Sequence, residues 1–432
     1  MPDLEAPAAV PRKHSRIRTF LDHYGSTVFG QGLVLGLGIL TGILSARMLG
    51  PVGRGEYVAA VAWPAGIMTV VSLGINQAVA YHVGRKSFSL SEMTTASLLI
   101  GVVQSVVTIL IGLALLPRVL VNYSSTVHYL GFFFLFMTPA WIFGIYASNL
   151  FQGSQDLYRF NLIRVLPPIV YFAGLFGLYL SHRGTLSGVI YSQVSGYVLS
   201  LVFGATLVWT RLRPSWAWNA ATVPSLVSFG WRTQATSLTN YFNQRIDQLI
   251  LSLFVPPQQL GFYAVAVTLS MAVTVFPYAA GIVTFSRGSS QQPKDATSTI
   301  SRSFRASLLW LLAMCTALYF LAPILMHLVF GAAFNGSIVA CRILLPGALM
   351  IGMNQVLYNG ASALGRPGLP SCAEGVSVAV TAVGLYVLVP RYGYVGAAIV
   401  SSVAYTVSFF VMLTLAHHLL GLRLRALLGM RG

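Results

Sequence analysis

The sequence predicts an all-α, multi-pass membrane protein of about twelve transmembrane helices arranged as two pseudo-symmetric six-helix halves. Three observations predict it. Hydrophobic residues fill 56% of the 432 positions and charged residues only 8%, against about a quarter charged in an ordinary soluble domain. Apolar runs of about 20 residues, the length that crosses a bilayer, recur along the whole chain. Residues 44 to 61 also return, offset by 206 positions, at 250 to 267, so that Pro51, Gly55, Tyr57, Ala60 and Val61 fall on Pro257, Gly261, Tyr263, Ala266 and Val267.

The register of that repeat persists. At offset 207, Pro139, Phe151 and Gly153 fall on Pro346, Tyr358 and Gly360, and at offset 208, Gly188 and Tyr197 fall on Gly396 and Tyr405. A nearly constant register along the chain argues duplication of a unit of about 207 residues. Such a period is too long for a solenoid, and in a membrane protein it marks two halves that rock about a central site, as transporters do. Six spans per half leave both copies in the same orientation, related by an axis along the membrane normal.

The apolar runs place spans at 26–46, 58–82, 94–116, 127–150, 161–181, 187–209, 229–254, 260–285, 304–329, 339–363, 369–389 and 395–416. They divide the chain into a basic N-terminal tail (1–25), a first lobe (26–210), a linker (211–228), a second lobe (229–418) and a C-terminal tail (419–432). The net charge of +17 follows this topology. Nineteen of the 26 Lys and Arg fall in the tails and on the side that both tails share, six fall on the other side (Arg47, Arg54, Arg118, Arg183, Arg342 and Arg391), and Arg245 lies within a span. The positive-inside rule therefore places both termini in the cytoplasm, and no nucleic-acid partner is needed to explain the basicity. The basic run Arg12, Lys13, Arg16 and Arg18 ahead of the first span resembles a signal peptide, but the apolar stretch exceeds the 7–15 residues of a signal core, so a retained helix is expected.

Other features are punctuation. Cys315, Cys341 and Cys372 are odd in number and lie in apolar stretches, so neither a disulfide framework nor a metal site is expected. Span 1 carries Gly30, Gly32, Gly36, Gly38 and Gly42, a pattern of close helix packing or of a helix that bends, with Gly36 and Gly42 as hinge candidates. Prolines inside spans predict kinks, and the repeat predicts a symmetric kinked pair at Pro139 and Pro346. The linker, with Trp216, Trp218, Arg211 and Arg213, reads as a cytoplasmic strap.

The polar residues inside spans are the functional candidates. Thr233, Ser237, Asn240, Gln244 and Asp247 are spaced by four, three, four and three, which keeps them on one stripe of span 7. Thr233, Ser237, Asn240 and Gln244 are expected either to bond neighbouring helices or to line a water-filled cavity. Asp247 and, in span 11, Glu374 are intramembrane carboxylates and hence candidates for ion coupling. The arginines that run against the charge bias, Arg47, Arg54 and Arg342, together with Arg245, could hold a phosphate by bidentate hydrogen bonds. No catalytic residue and no metal ligand is expected.

Four segments, "ARMLGPVGRGEYVAAVAWP" (46–64), "FGWRTQATSLTNYFNQRIDQLILS" (229–252), "LGRP" (364–367) and "YGYVGAAIVSSVAYTV" (392–407), resemble bacterial polysaccharide-biosynthesis flippases. These are the Wzx-type branch of the MOP superfamily, which also holds MATE multidrug extruders and the lipid II flippase MurJ. The resemblance implies a V-shaped, MATE-like pair of lobes around a cationic cavity, working by alternating access in the cell inner membrane. It further implies transfer of a polyprenyl-diphosphate-linked oligosaccharide to the periplasmic leaflet for cell-surface polysaccharide biosynthesis, alongside polymerase machinery. No cofactor is implied beyond coupling to a proton or sodium gradient or to the membrane potential. Two readings compete with it. A MATE-like multidrug antiporter would place carboxylates in its cavity. A membrane glycosyltransferase or polymerase would need paired carboxylates or a large outer loop, and the sequence has neither Asp-x-Asp nor a long outer loop.

Overall fold

Backbone geometry sets the span boundaries. This computed structural model describes residues 13–289, 291–366, 368–422 and 427, so most of the expected tails, 1–12 and 423–432 apart from 427, lie outside the described residues. Helix α1 (Lys13–Val71) holds two spans, because Gly50 adopts a positive φ of 65° that turns the chain back on itself. The second arm continues, after a break at 72–74, into α2 (Ile75–Gly84). Helix α3 (Leu90–Val119) starts on a capping box in which the Ser89 hydroxyl accepts from the Glu92 N–H and the Glu92 carboxylate accepts from the Ser89 N–H. Valines and leucines such as Val103 and Leu110 cover its outer face, exposed where lipid would lie.

The fourth span is α4 (Ser125–Phe136) followed by α5 (Thr138–Gly153), with Pro139 in the first turn of α5. A proline costs little there, because the N–H groups of the first turn have no i−4 carbonyl within the helix to bond. Helices α6 (Leu157–Leu180), capped by Asp156, and α7 (Leu186–Leu207), capped by Thr185, complete the first half. A short strap leads to α8 (Thr222–Phe254). Its Ser215 N–H donates to Ser91 and Asn219 Nδ2 to Glu92, which ties it to the start of α3.

The second half repeats the order: α9 (Pro257–Met271), α10 (Val275–Gly288), α11 (Pro293–Leu325), α12 (Ser337–Ala363) and α13 (Gly368–Leu420). Helix α13 again contains two spans, folded across Gly393 at φ 56°. Nine stretches among the described residues are long and apolar enough to cross a membrane. Two of them each hold a pair of spans, and α8, too polar to qualify, makes the twelfth.

The structure bears on both expectations about bending. Helix α1 runs unbroken through Gly36 and Gly42; the described turn is at Gly50. Gly42 instead gives close approach to Thr268 of α9, while Gly36 faces open space. The kinks at Pro139 and Pro346 are not a symmetric pair either, because α12 stays continuous through Pro346. Ser402 explains the difference: its hydroxyl accepts from Gly347 N–H at 2.9 Å and donates to Ile343 O at 2.6 Å, which stitches the ladder the proline opens.

The halves interlock where the repeated motif lies. A Cβ on Gly55 would sit 1.7 Å from Pro257 O, and one on Gly261 would sit 1.9 Å from Pro51 O. Only glycine permits backbone contact this close. Above this clasp, one hydrophobic core joins Ala46, Leu130 and Phe134 of the first half to Leu251, Phe334 and Leu385 of the second. Toward the termini the apolar core divides in two, one part centred on Ile75, Tyr146 and Phe151 and the other on Phe304, Leu311 and Met353. The apolar core is thus shared by the halves at the Gly50 end and divided toward the terminal end, where α8 still meets the first half closely, a Cβ on Gly230 falling 2.4 Å from Leu73 O.

Candidate ligand cavity in the first half

A cavity of about 450 Å³ opens between α1, α5, α6 and α7, with Arg245 of α8 completing its wall. Each helix contributes residues three or four positions apart, so a single face of each points inward. Helix α1 gives Val34, Gly38 and Thr41, and α5 gives Trp141, Gly144, Ile145 and Ser148. Arg164, Pro167 and Tyr171 come from α6, and Gln193, Tyr197 and Ser200 from α7. Pro167 leaves the Ile163 carbonyl without its helical donor, and the Ser200 hydroxyl supplies one at 3.1 Å.

The wall is hydrogen-bonded in chains. Tyr171 OH donates to Tyr57 OH at 3.2 Å, Tyr57 OH to Gln193 Oε1 at 2.8 Å, and Gln193 Nε2 to Tyr197 OH at 3.3 Å. Tyr197 stacks on Trp141 with ring centres 5.1 Å apart and planes 13° from parallel. Arg164 donates to Gln31 Oε1 at 2.6 Å, and Gln31 Nε2 donates across the gap between halves to Tyr278 OH at 3.0 Å. Arg245 donates to Gln248 Oε1 at 3.0 Å. No carboxylate borders the cavity, and among the described residues the salt bridge is that of Arg159 with Asp156. Two guanidinium groups therefore border one cavity of mixed polar and apolar lining with no salt-bridge partner among the described residues, which is the chemistry of an anion site.

The four arginines singled out by sequence separate in the fold. Arg245 lies on the cavity wall. Arg54, only 9% exposed, sits one residue behind it, donating to Ser45 Oγ at 2.8 Å and lying 5.0 Å over the Tyr57 ring. Arg47 is exposed and borders no part of this cavity, because it projects from the face of α1 opposite the Val34, Gly38 and Thr41 stripe. Arg342 does not join them either: it stacks over Tyr319 at 5.0 Å and donates to that residue's carbonyl, on the α11 side of α12.

The polar stripe of α8 also divides. Thr233, Ser237, Asn240 and Gln244 do not border this cavity. Thr233 donates to Gly230 O, Ser237 accepts from Gln77 Nε2 at 3.2 Å, Gln244 donates to Asn240, and Asn240 donates to the buried Glu374 at 3.3 Å. Asp247 is buried in the second half, 3% exposed, and does not face the cavity. Its carboxylate accepts from Tyr263 OH, from Ser401 Oγ at 3.3 Å and from the Gln248 N–H at 2.7 Å. The reason is angular. Tyr241, Arg245 and Ser252 lie on the face of α8 turned to the first half, where Tyr241 OH reaches Ala62 O and Trp63 Nε1 reaches Ser252. Asn243 and Asp247 lie on the face turned to α9 and α13.

Arg164, Trp141, Tyr171 and Gln193 were not singled out by sequence, and Tyr197 only as a marker of the repeat. Arg164 falls among the basic residues that charge counting gives to the loop after the fourth span, yet it lies two turns inside α6. The signal was available: it is a cation three residues before a Pro-Pro pair within an apolar run.

The described residues thus form a twelve-span bundle of two repeated halves that holds a cavity with two arginines on its wall. The profile of the family described as "Polysaccharide biosynthesis protein" matches residues 20–285, well over half the chain, and the protein belongs to that family. It is 23% identical over 266 residues to the "Probable low-salt glycan biosynthesis flippase Agl15" of Haloferax volcanii, covering 61% of this chain and 56% of that one. It is 23% identical over 272 residues to the "Putative O-antigen transporter" of Shigella flexneri, covering 60% and 63%. The chain thus spans about three fifths of the length of these curated relatives. The fold is that of the lipid II flippase MurJ in an inward closed conformation, with a TM-score of 0.74 at 15% identity over 89% of this chain and 86% of that one. It is also that of an inward-facing MATE transporter of the MOP superfamily, with a TM-score of 0.70 at 15% identity over 90% and 94%.

Proposed function

We propose that this protein flips a polyprenyl-diphosphate-linked oligosaccharide from the cytoplasmic to the periplasmic leaflet, for cell-surface polysaccharide biosynthesis. One observation carries the proposal: the cavity presents Arg164 and Arg245 and no carboxylate. A diphosphate and a sugar chain cannot cross hydrocarbon unaided, whereas a polyprenyl tail can stay in lipid. A cationic, polar cavity between membrane helices supplies what the head group lacks. Membership of a polysaccharide biosynthesis family supports the reading, as do the names of the relatives.

Charge and packing together support this direction. The positive-inside bias favours a cytoplasmic terminal end, which is where the apolar core divides between the halves, whereas one core and the Gly55 and Gly261 clasp join them at the other end. In this reading the described conformation loads from the cytoplasmic side, and rocking of the halves releases the head group on the other. Coupling to a proton or sodium gradient, or to the membrane potential, belongs to the same proposal, with Asp247 as the carboxylate to test. An antiporter for organic cations is disfavoured, because it would need a carboxylate where the cavity has guanidinium groups.

The test is leaflet transfer of a labelled polyprenyl-diphosphate oligosaccharide in proteoliposomes. Wild type should transfer it, Arg164→Gln and Arg245→Gln should each slow transfer at least about tenfold, the worth of one charge-assisted contact, and Arg47→Gln and Arg342→Gln should not. Absence of transfer by folded wild-type protein would overturn the function. Equal effects of all four substitutions would overturn the cavity as the phosphate site.

A further inference from the structure

We infer that the Trp141 and Tyr197 pair is a sugar-binding ledge, which seats the apolar face of the pyranose ring attached to the phosphate. The assignment rests on the lipid-linked glycan reading above and says where in the cavity the glycan lies. Both rings border the cavity and both are only half-buried. Trp141 packs on one side against the apolar core around Tyr146 and Phe151, and on the other it shares the cavity with Arg164, Gln193, Ser148 and Tyr171.

The ledge is preorganised. Tyr197 holds Trp141 in a near-parallel stack and is itself fixed by Gln193, at the end of the hydrogen-bond chain from Tyr171. A ring already fixed loses little side-chain entropy when a ligand settles against it. Its edges remain polar. The Trp141 indole N–H donates to no acceptor among the described residues, and the Tyr197 hydroxyl accepts from Gln193 without donating in turn. Two free donors beside an aromatic surface suit a ring that has C–H groups on its faces and hydroxyls at its rim.

The duplicated half shows that the fold does not require this tryptophan. At offset 207, Trp141 corresponds to Ala348, which is fully buried against its neighbours. The same place in the scaffold is therefore built with a small residue when it only has to pack. Arg164, on α6, flanks the ledge in the same cavity, so a sugar 1-phosphate can address ring and guanidinium together.

The experiment is calorimetric titration of the purified full chain in detergent with inorganic phosphate and with a panel of hexose 1-phosphates. Wild type should bind at least one hexose 1-phosphate about tenfold tighter than phosphate, the worth of one aromatic contact. Trp141→Ala should abolish that gain and leave phosphate binding intact, and Trp141→Phe should keep most of it. Should Trp141→Ala not fold, Trp141→Leu, which retains bulk without a π face, takes its place with the same expectation. Equal binding of phosphate and every sugar phosphate by wild type would overturn the ledge and leave the cationic site standing. So would equal weakening of both ligands by Trp141→Ala or Trp141→Leu. Binding of neither ligand would overturn the cationic site, and the ledge with it.

Discussion

At matched register the two halves build the same frame and fill it differently. Tyr57 and Tyr263 are repeat partners, and each sends its hydroxyl to the last helix of its own half, Tyr57 to Gln193 and Tyr263 to Ser401, which are repeat partners in turn. Around that shared clasp the contents diverge. In the first half Thr41, Trp141 and Tyr197 border a cavity of about 450 Å³. In the second, their counterparts Asp247, Ala348 and Tyr405 are all buried, and the Asp247 carboxylate takes up the Tyr263 and Ser401 hydroxyls. Duplication fixed where the polar groups stand, and later divergence left one half with a binding cavity and the other with a polar core.

The largest test of that contrast substitutes the repeat pair Thr41 and Asp247. Asp247→Ala removes the acceptor shared by the Tyr263 and Ser401 hydroxyls and the Gln248 N–H and should cost about 3 kcal/mol, read as earlier unfolding when sodium dodecyl sulfate is titrated into mixed micelles. Thr41→Ala loses one intrahelical bond to Gly38 O and should cost less than about 1 kcal/mol. Equal losses would mean that the halves are not packed differently at this position. Wild-type stability in Asp247→Ala, with loss of ion-dependent transport, would assign the residue to coupling instead of packing.

A second test exchanges bulk. Ala348→Trp forces a large ring into filled space and should destabilise the second half by about 1–3 kcal/mol in the same titration. The reciprocal Trp141→Ala, at a half-open wall, should be the milder change. A tolerated Ala348→Trp would show that the second half hides a cavity of its own.

The sequence shows the frame more clearly than the contents, for a physical reason. Span length and charge bias are properties of single helices, so the twelve spans and their order can be read from apolar runs, and the repeat even marks the clasp at Pro51, Gly55, Pro257 and Gly261. The cavity is assembled from one face each of five helices. Gln193, Tyr171 and Trp141 are isolated polar or aromatic positions in otherwise apolar runs, with no periodic stripe to announce them. The one conspicuous stripe, on α8, misleads, because an α-helix between two halves shows different faces to each. Arg245, two residues from Asp247, enters the first half's cavity while Asp247 turns into the second half's core. Arg164 is concealed near a boundary: only three residues inside the expected span 161–181 it is counted with the loop charges, whereas α6 starts earlier, at Leu157 on the Asp156 cap, and carries it two turns in.

The smallest contrast lies between the two repeated prolines, and it separates register from mechanism. Pro139 begins α5 and needs no rescue, so Pro139→Ala should change stability by less than about 1 kcal/mol. Pro346 lies inside α12, where Ser402 bridges Gly347 N–H and Ile343 O. Ser402→Ala should therefore cost about 1–1.5 kcal/mol, one hydrogen bond's net worth or slightly more. The decisive comparison is the double substitution. With Pro346→Ala the backbone ladder can close by itself, so Ser402→Ala should cost appreciably less in that background, a non-additivity that a double-mutant cycle in the same micelle titration reads directly. Additive costs would mean that the Ser402 hydroxyl serves the contact between α12 and α13 and not the gap the proline opens.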